Sequence, residues 1–272
     1  MVATRYVVDA AGPASLGFWR YLLGVGCLGV VFALRPVGRI SPVDLLPIAL
    51  LGVGQFGVLI WLLNWALTTI PAGLASLLFA TFPLMTLALA AYLGRERLTT
   101  GKVGGLMLAL AGVGIAVLGD ALDRPTSILG ILAALGAALC GAICSVFYGS
   151  YAARYSALPV TGWAMFAAVL FFAMLGAGEG LFATWPSFNG VQWSAIAFIG
   201  VSSGIGFFLW VFALGGASPS IVTMFLSLSP IVAALGGSAM LGEQLRASGV
   251  MGLGLVIGGL VVALKSRSTE SA

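Results

Sequence analysis

The chain has 272 residues, 61% hydrophobic and only 7% charged, with a formal net charge of +4 and no histidine. A soluble domain carries about 25% charged residues, so a water-soluble fold is excluded: too little polar surface exists to cover it. The missing histidine removes the commonest general base and metal ligand, which weighs against an intramembrane hydrolase or a haem protein.

Runs of roughly 18 or more apolar residues predict membrane-spanning helices. They fall at about 14–34, 44–68, 72–93, 101–118, 128–152, 160–178, 190–214, 219–240 and 247–264, after a short apolar stub from Met1 to Val8. That makes about nine full spans. The stub has neither the charged n-region nor the cleavage site of a signal peptide. Proline, glycine and charge mark the breaks, among them Arg35-Pro36, Ile70-Pro71, Arg95-Glu96-Arg97, Leu158-Pro159, Trp185-Pro186 and Ser218-Pro219. Cys27, Cys140 and Cys144 lie inside apolar runs without CxxC or other metal spacing, and read as small packing residues.

Basic residues are divided unequally between alternate loops. One set holds Arg35, Arg39, Arg95, Arg97, Lys102, Arg154, Lys265 and Arg267; the other holds Arg124 and Arg246. The positive-inside rule then places the first set and the C-terminus in the cytoplasm. The net charge is a topology signal and implies no nucleic-acid partner. The expected location is the cell membrane, with multiple passes.

The chain repeats itself. Pro83 and Pro230 lie 147 residues apart, as do Glu96 and Glu243, Leu98 and Leu245, Gly105 and Gly252, and Gly112 and Gly259. Such an ordered set signals duplication. The Glu96 loop faces the cytoplasm and the Glu243 loop the outside, so the copies are inverted, a recurrent transporter architecture. The expected divisions are a first repeat at 1–118, a connecting loop at 119–127, a second repeat at 128–265 and a cytoplasmic tail at 266–272. Pro13 aligns with Pro159, yet only twelve residues precede it. A span needs about 20, so the first helix of the first copy is expected to be largely truncated from a ten-helix plan.

Leu74 to Leu98 reads LASLLFATFPLMTLALAAYLGRERL, and Ile221 to Leu245 reads IVTMFLSLSPIVAALGGSAMLGEQL. Each resembles the EamA-type repeat of the drug/metabolite transporter superfamily, and Phe18-Trp19-Arg20-Tyr21 resembles that family's Arg-aromatic pair. The resemblance implies an all-α integral membrane fold of two inverted five-helix repeats. It also implies a central cavity lined by the first four helices of each repeat, through which small metabolites, amino acids or drugs move, often outward.

Candidate substrate-binding residues follow from polarity inside spans. Pro83 and Pro230 interrupt matched helices and free the carbonyls of Phe79 and Leu226, with Thr81, Ser227 and Ser229 near enough to assist. Arg20 lies several residues inside its span, where an arginine costs at least about 2.5 kcal/mol. It is either an anion anchor or a side chain snorkelling to the interface. Gln55, Trp61, Asn64 and Trp65 occupy one helix; Gln55 and Asn64, nine apart, do not share a face of a regular helix. Ser202, Ser203 and Trp210 hold comparable places in the second copy, and Tyr148, Tyr151 and Trp163 are candidate ring walls. Glu96 and Glu243 read as structural ties at helix ends.

The reading is a transporter or facilitator working by alternating access, with a small-molecule substrate, the bilayer as partner, and neither cofactor nor metal. No acidic residue lies deep in a span, which speaks against proton coupling through a buried carboxylate. A membrane-embedded enzyme and a non-transporting scaffold are the alternatives. The first lacks a nucleophile–base pair, and the second leaves the repeat without purpose.

Overall fold

The computed structural model describes residues 2–34, 38–94, 99–123, 127–183, 188–216, 219–224 and 247–268. Every regular element among them is a helix: α1 (Val2–Ala11), α2 (Pro13–Leu34), α3 (Pro42–Thr69), α4 (Ala72–Phe79), α5 (Phe82–Tyr92), α6 (Thr100–Asp123), α7 (Ile128–Tyr155), α8 (Ala157–Gly178), α9 (Gly190–Gly216), α10 (Pro219–Met224) and α11 (Ala247–Ser268). Six stretches of the described residues are long and apolar enough to cross a bilayer: Pro13–Phe32, Pro42–Thr69, Leu74–Tyr92, Ile128–Tyr155, Ala157–Gly178 and Gly190–Gly216. The protein is an all-α, multi-pass membrane protein. Of the expected helix at 219–240 only α10 is described; Ser227, Ser229, Pro230, Glu96 and Glu243 lie outside the described residues.

Several boundaries differ from the sequence reading; α6 runs on to Asp123, into the expected connecting loop at 119–127. The expected helix 160–178 begins at Ala157, because proline is tolerated in a first turn and Pro159 sits there. The break falls instead at Ser156, whose φ is 68°. The helix expected at 72–93 is interrupted by two turn residues: α4 ends at Phe79 and α5 starts at Phe82, with Pro83 in its first turn.

Burial is reversed relative to a soluble bundle. On α7 the inward residues are small, including Ala134, Ala137, Ala138, Gly141 and Ala142, while Leu129, Leu132, Leu139, Ile143 and Phe147 face out. Small residues admit close neighbours where lipid offers no hydrophobic drive between helices. Accordingly α7 is central, touching α3, α4, α5 and α9.

The matched glycines explain how the copies meet. A Cβ on Gly112 of α6 would stand 2.6 Å from the Gly252 carbonyl oxygen of α11. A Cβ on Gly259 of α11 would stand 2.3 Å from the Gly105 carbonyl oxygen of α6. Both distances are shorter than side chains tolerate, so the two helices cross backbone to backbone. The contacts are reciprocal under the 147-residue offset, as in an isologous interface. Advancing from Gly105 to Gly112 on α6 means retreating from Gly259 to Gly252 on α11, so these corresponding helices run antiparallel. A second pair behaves alike: a Cβ on Gly200 of α9 would meet the Arg20 carbonyl of α2, and one on Gly52 of α3 the Ala164 carbonyl of α8.

Gly112→Leu and Gly259→Leu are each expected to lower stability by about 1–3 kcal/mol through overpacking. Gly254, with open space around it, accepts leucine without loss. Thermal unfolding of the detergent-solubilised protein checks the difference.

Candidate functional site

The site begins with an irregularity in α3. Residues Val53–Val58 form a π-helical segment, in which the Leu59 N–H reaches back five residues to the Gly54 carbonyl. The Cys140 thiol donates to the same oxygen at 3.3 Å. One residue is in effect inserted, which turns the rest of the helix by about 100°. Gln55 and Asn64, nearly opposite on a regular helix, are thereby brought within about 80° of one another. Both are buried, at 3% and 1% exposure. Their fates differ: the Asn64 Nδ2 donates to the Pro13 carbonyl at 3.0 Å, fixing the turn between α1 and α2, whereas the Gln55 Oε1 has no partner.

Beside Gln55 lies an aromatic core. Phe56 stands 5.9 Å from Tyr21, 6.1 Å from Tyr148 and 4.5 Å from Phe207, ring to ring. Tyr21 also stacks on Phe172 at 5.9 Å. Phe82, the residue before Pro83, sits 6.1 Å from Trp210 and rests against Gly141 of α7. Helices α2, α3, α5, α7, α8 and α9 all contribute. Tyr21, Phe56, Tyr148 and Phe172 have no exposed surface, so the core is closed in this structure.

That closed core carries polar atoms without partners: Tyr21 OH, Ser145 Oγ, Tyr148 OH and Trp210 Nε1, with Gln55 Oε1 next to Phe56 in the chain. A buried polar group left unsatisfied costs about 1–3 kcal/mol. Several of them around one ring cluster is the condition of a site that a polar solute or water completes.

Arg20 reaches the edge of this cluster. Its Nε donates to the Ser203 Oγ at 2.7 Å, and that hydroxyl donates onward to the Ile199 carbonyl at 2.6 Å. The guanidinium carbon lies 5.5 Å from the Tyr21 ring centre and 5.9 Å from that of Phe207. These contacts turn the partly buried side chain toward the ring cluster. Only Ser203 of its pair participates: neighbouring helix residues point about 100° apart, and Ser202 is exposed with its hydroxyl on the Ile199 carbonyl.

The remaining candidates are dispersed. Thr81 is buried at the break, its hydroxyl on the Leu78 carbonyl at 2.7 Å, and Pro83 is buried one residue past Phe82. Trp61 and Tyr151 pack on the core's rim. Trp65 belongs to a separate cluster with Ala66, Leu67 and Ala134. Trp163 donates to the Leu45 carbonyl at 2.8 Å and lines an apolar groove of about 520 Å³ with Leu28, Phe32, Ile40, Gly162 and Phe166. Tyr21, Phe56, Ser145 and Phe207 were not among the candidates. Ser145 had a usable signal, being a hydroxyl one turn before Tyr148 in an apolar run.

The two ends of the bundle differ. At one end Glu179, closing α8, accepts from the Ala14 and Ser15 backbone N–H groups at 3.0 and 2.8 Å and from the Ser15 hydroxyl at 3.0 Å. A carboxylate at a helix N-terminus satisfies free amides and complements the dipole. Trp19 against Trp193, Phe188 against Trp193 and Phe18 against Phe182 close the same end with rings. At the other end Asp44 holds Arg154 at 2.9 Å and the Tyr155 hydroxyl, and the apolar groove opens beside them.

The EamA-like transporter family model matches residues 1–118 and again residues 128–265. The chain belongs to the EamA-like transporter family. This EamA-like transporter is thus a membrane protein that moves small solutes. It is 33% identical to a probable terminal-alkyne amino-acid exporter of Streptantibioticus cattleyicolor, over 96% of this chain and 86% of that protein. It is 27% identical to an uncharacterized transporter of Archaeoglobus fulgidus, over 97% and 93%. It is 26% identical to a probable amino-acid metabolite efflux pump of Salmonella typhimurium, over 92% and 85%. A solved crystal structure superposes with a TM-score of 0.71 at 23% identity, covering 96% of this chain and 93% of that one, which supports the fold.

Glu179→Ala is expected to lower the melting temperature of the EamA-like transporter in detergent, and Glu179→Gln to lower it less, because the amide keeps one acceptor. Equal melting temperatures in all three proteins contradict the tie.

Proposed function

We propose that the EamA-like transporter exports, or passively facilitates, small amino-acid-like solutes through the ring-lined core around Tyr21, Gln55, Tyr148 and Trp210. The observation that carries this is the set of unpartnered polar atoms in a closed apolar core. A few convergent polar groups in an apolar surround are the usual form of a solute site. The names of the relatives, an amino-acid exporter and an amino-acid metabolite efflux pump, support the substrate class.

Movement follows from where the helices are discontinuous. The α4–α5 break and the π segment of α3 both border the core, and α10, which opens the matched element of the second copy, packs on α5. Two inverted repeats meeting at antiparallel α6 and α11 rock about a fixed centre. The Glu179 end is held shut while the Arg154 end carries the open groove, as expected of an inward-facing state if the basic loops lie in the cytoplasm. No acid lies deep in a span, so the reading includes no proton-carrying carboxylate in the core.

Tyr148→Phe and Gln55→Leu are each expected to reduce solute flux in proteoliposomes at least about tenfold, one lost hydrogen bond in a desolvated site. The same variants hold or raise the melting temperature, since each removes an orphaned polar atom. Ser202→Ala changes neither. Wild-type flux in both core variants removes the site assignment. Pro83→Ala reduces flux while the protein still folds. A pH gradient leaves flux near its symmetric value, and strong uphill movement driven by protons contradicts the uncoupled reading.

A further inference from the structure

Arg20 is the one ionised side chain placed well inside the spans of this sequence, all other charges lying toward helix ends, loops, the stub or the tail. Its Nε–H is committed to Ser203, which is itself locked on the Ile199 carbonyl. A guanidinium has five N–H donors, so four remain on the two terminal nitrogens. Among the described residues no carboxylate pairs with it; its side chain meets Ser203 and the Tyr21 and Phe207 rings. A planar fork fixed at one edge and open at the other is suited to two parallel bonds to a carboxylate. Two of the core's rings, Tyr21 and Phe207, already lie beside the guanidinium, which repels a second cation there.

We propose that the site reads the carboxylate of its substrate through Arg20 and the apolar body through the Tyr21–Phe56–Phe207 rings, and does not read the ammonium. This rests on the core being the solute site. The substrate class is accordingly wider than amino acids: monocarboxylates with an apolar or aromatic body, with or without an α-amino group. Arg20 is the specificity-determining residue, and Ser203 positions it.

The test is isothermal titration of the purified full chain with four probes of one shape: 3-phenylpropionate, L-phenylalanine, 3-phenylpropionamide and 2-phenylethylamine. The two carboxylates are expected to bind within about threefold of each other, and the amide and amine at least about tenfold more weakly. Arg20→Gln brings the carboxylates down to the amide. Arg20→Lys, which keeps the charge but loses the fork, retains part of the preference and guards against simple misfolding. Ser203→Ala weakens both carboxylates and leaves the amide unchanged. Tyr148→Phe weakens all four alike. L-Phenylalanine binding tenfold tighter than 3-phenylpropionate overturns the proposal. So does an amine that equals the acids, an acid preference that survives Arg20→Gln, or failure of all four to bind. An acid preference lost in Arg20→Gln but with all four affinities unchanged in Tyr148→Phe upholds the role of Arg20 and overturns the location of the site in the ring core.

Discussion

A chain in hydrocarbon has no water to complete its hydrogen bonds, so each polar group must find its partner within the protein. The rest of this bundle follows from that constraint. It makes every described regular element a helix. It explains why the freed ends and breaks are attended by side chains: Thr81 on the Leu78 carbonyl, Cys140 on the Gly54 carbonyl, Asn64 on the Pro13 carbonyl and Glu179 on the amides of α2. Against that background, the unpartnered polar atoms of Tyr21, Gln55, Ser145, Tyr148 and Trp210 stand out. They lie where a solute is able to meet the constraint.

The second organising feature is backbone contact at glycine. Where α6 crosses α11, and where α2 and α3 cross α9 and α8, an added Cβ has no room. Crossings of this kind hold helices by dispersion over a close surface instead of by hydrophobic transfer. Because the α6–α11 contact is reciprocal between matched residues, one crossing supplies the relation between the copies. The core then lies between elements that border on discontinuities, the π segment of α3 and the α4–α5 break, while the glycine crossings remain regular. Stiff seams surround a centre whose helices are able to change.

Much of this was legible in the sequence because it is periodic or repeated. Apolar runs gave the spans, and the 147-residue offset equates Gly105 with Gly252 and Gly112 with Gly259, the four glycines of the α6–α11 crossing. The misses have local causes. Pro159 was read as a helix boundary, although a proline in the first turn leaves the helix intact. Nothing in Val-Gly-Gln-Phe-Gly-Val announces a π turn, so the phase shift that brings Gln55 towards the side of Asn64 was hidden. Ser202 and Ser203 are indistinguishable in sequence and are separated only by the helix phase. Glu179 finds its partners 164 and 165 residues away, a separation at which spacing carries no information.

The central claim is that the closed ring core, and not the apolar groove near Trp163, is where solute binds. A structure of the protein with a transported solute bound tests it most directly. The account predicts the solute between α3, α7 and α9, with polar atoms within hydrogen-bonding distance of the Tyr148 hydroxyl and the Gln55 side chain. A solute lodged in the groove between Phe32, Trp163 and Phe166, with the Tyr148 hydroxyl still unpartnered, contradicts it.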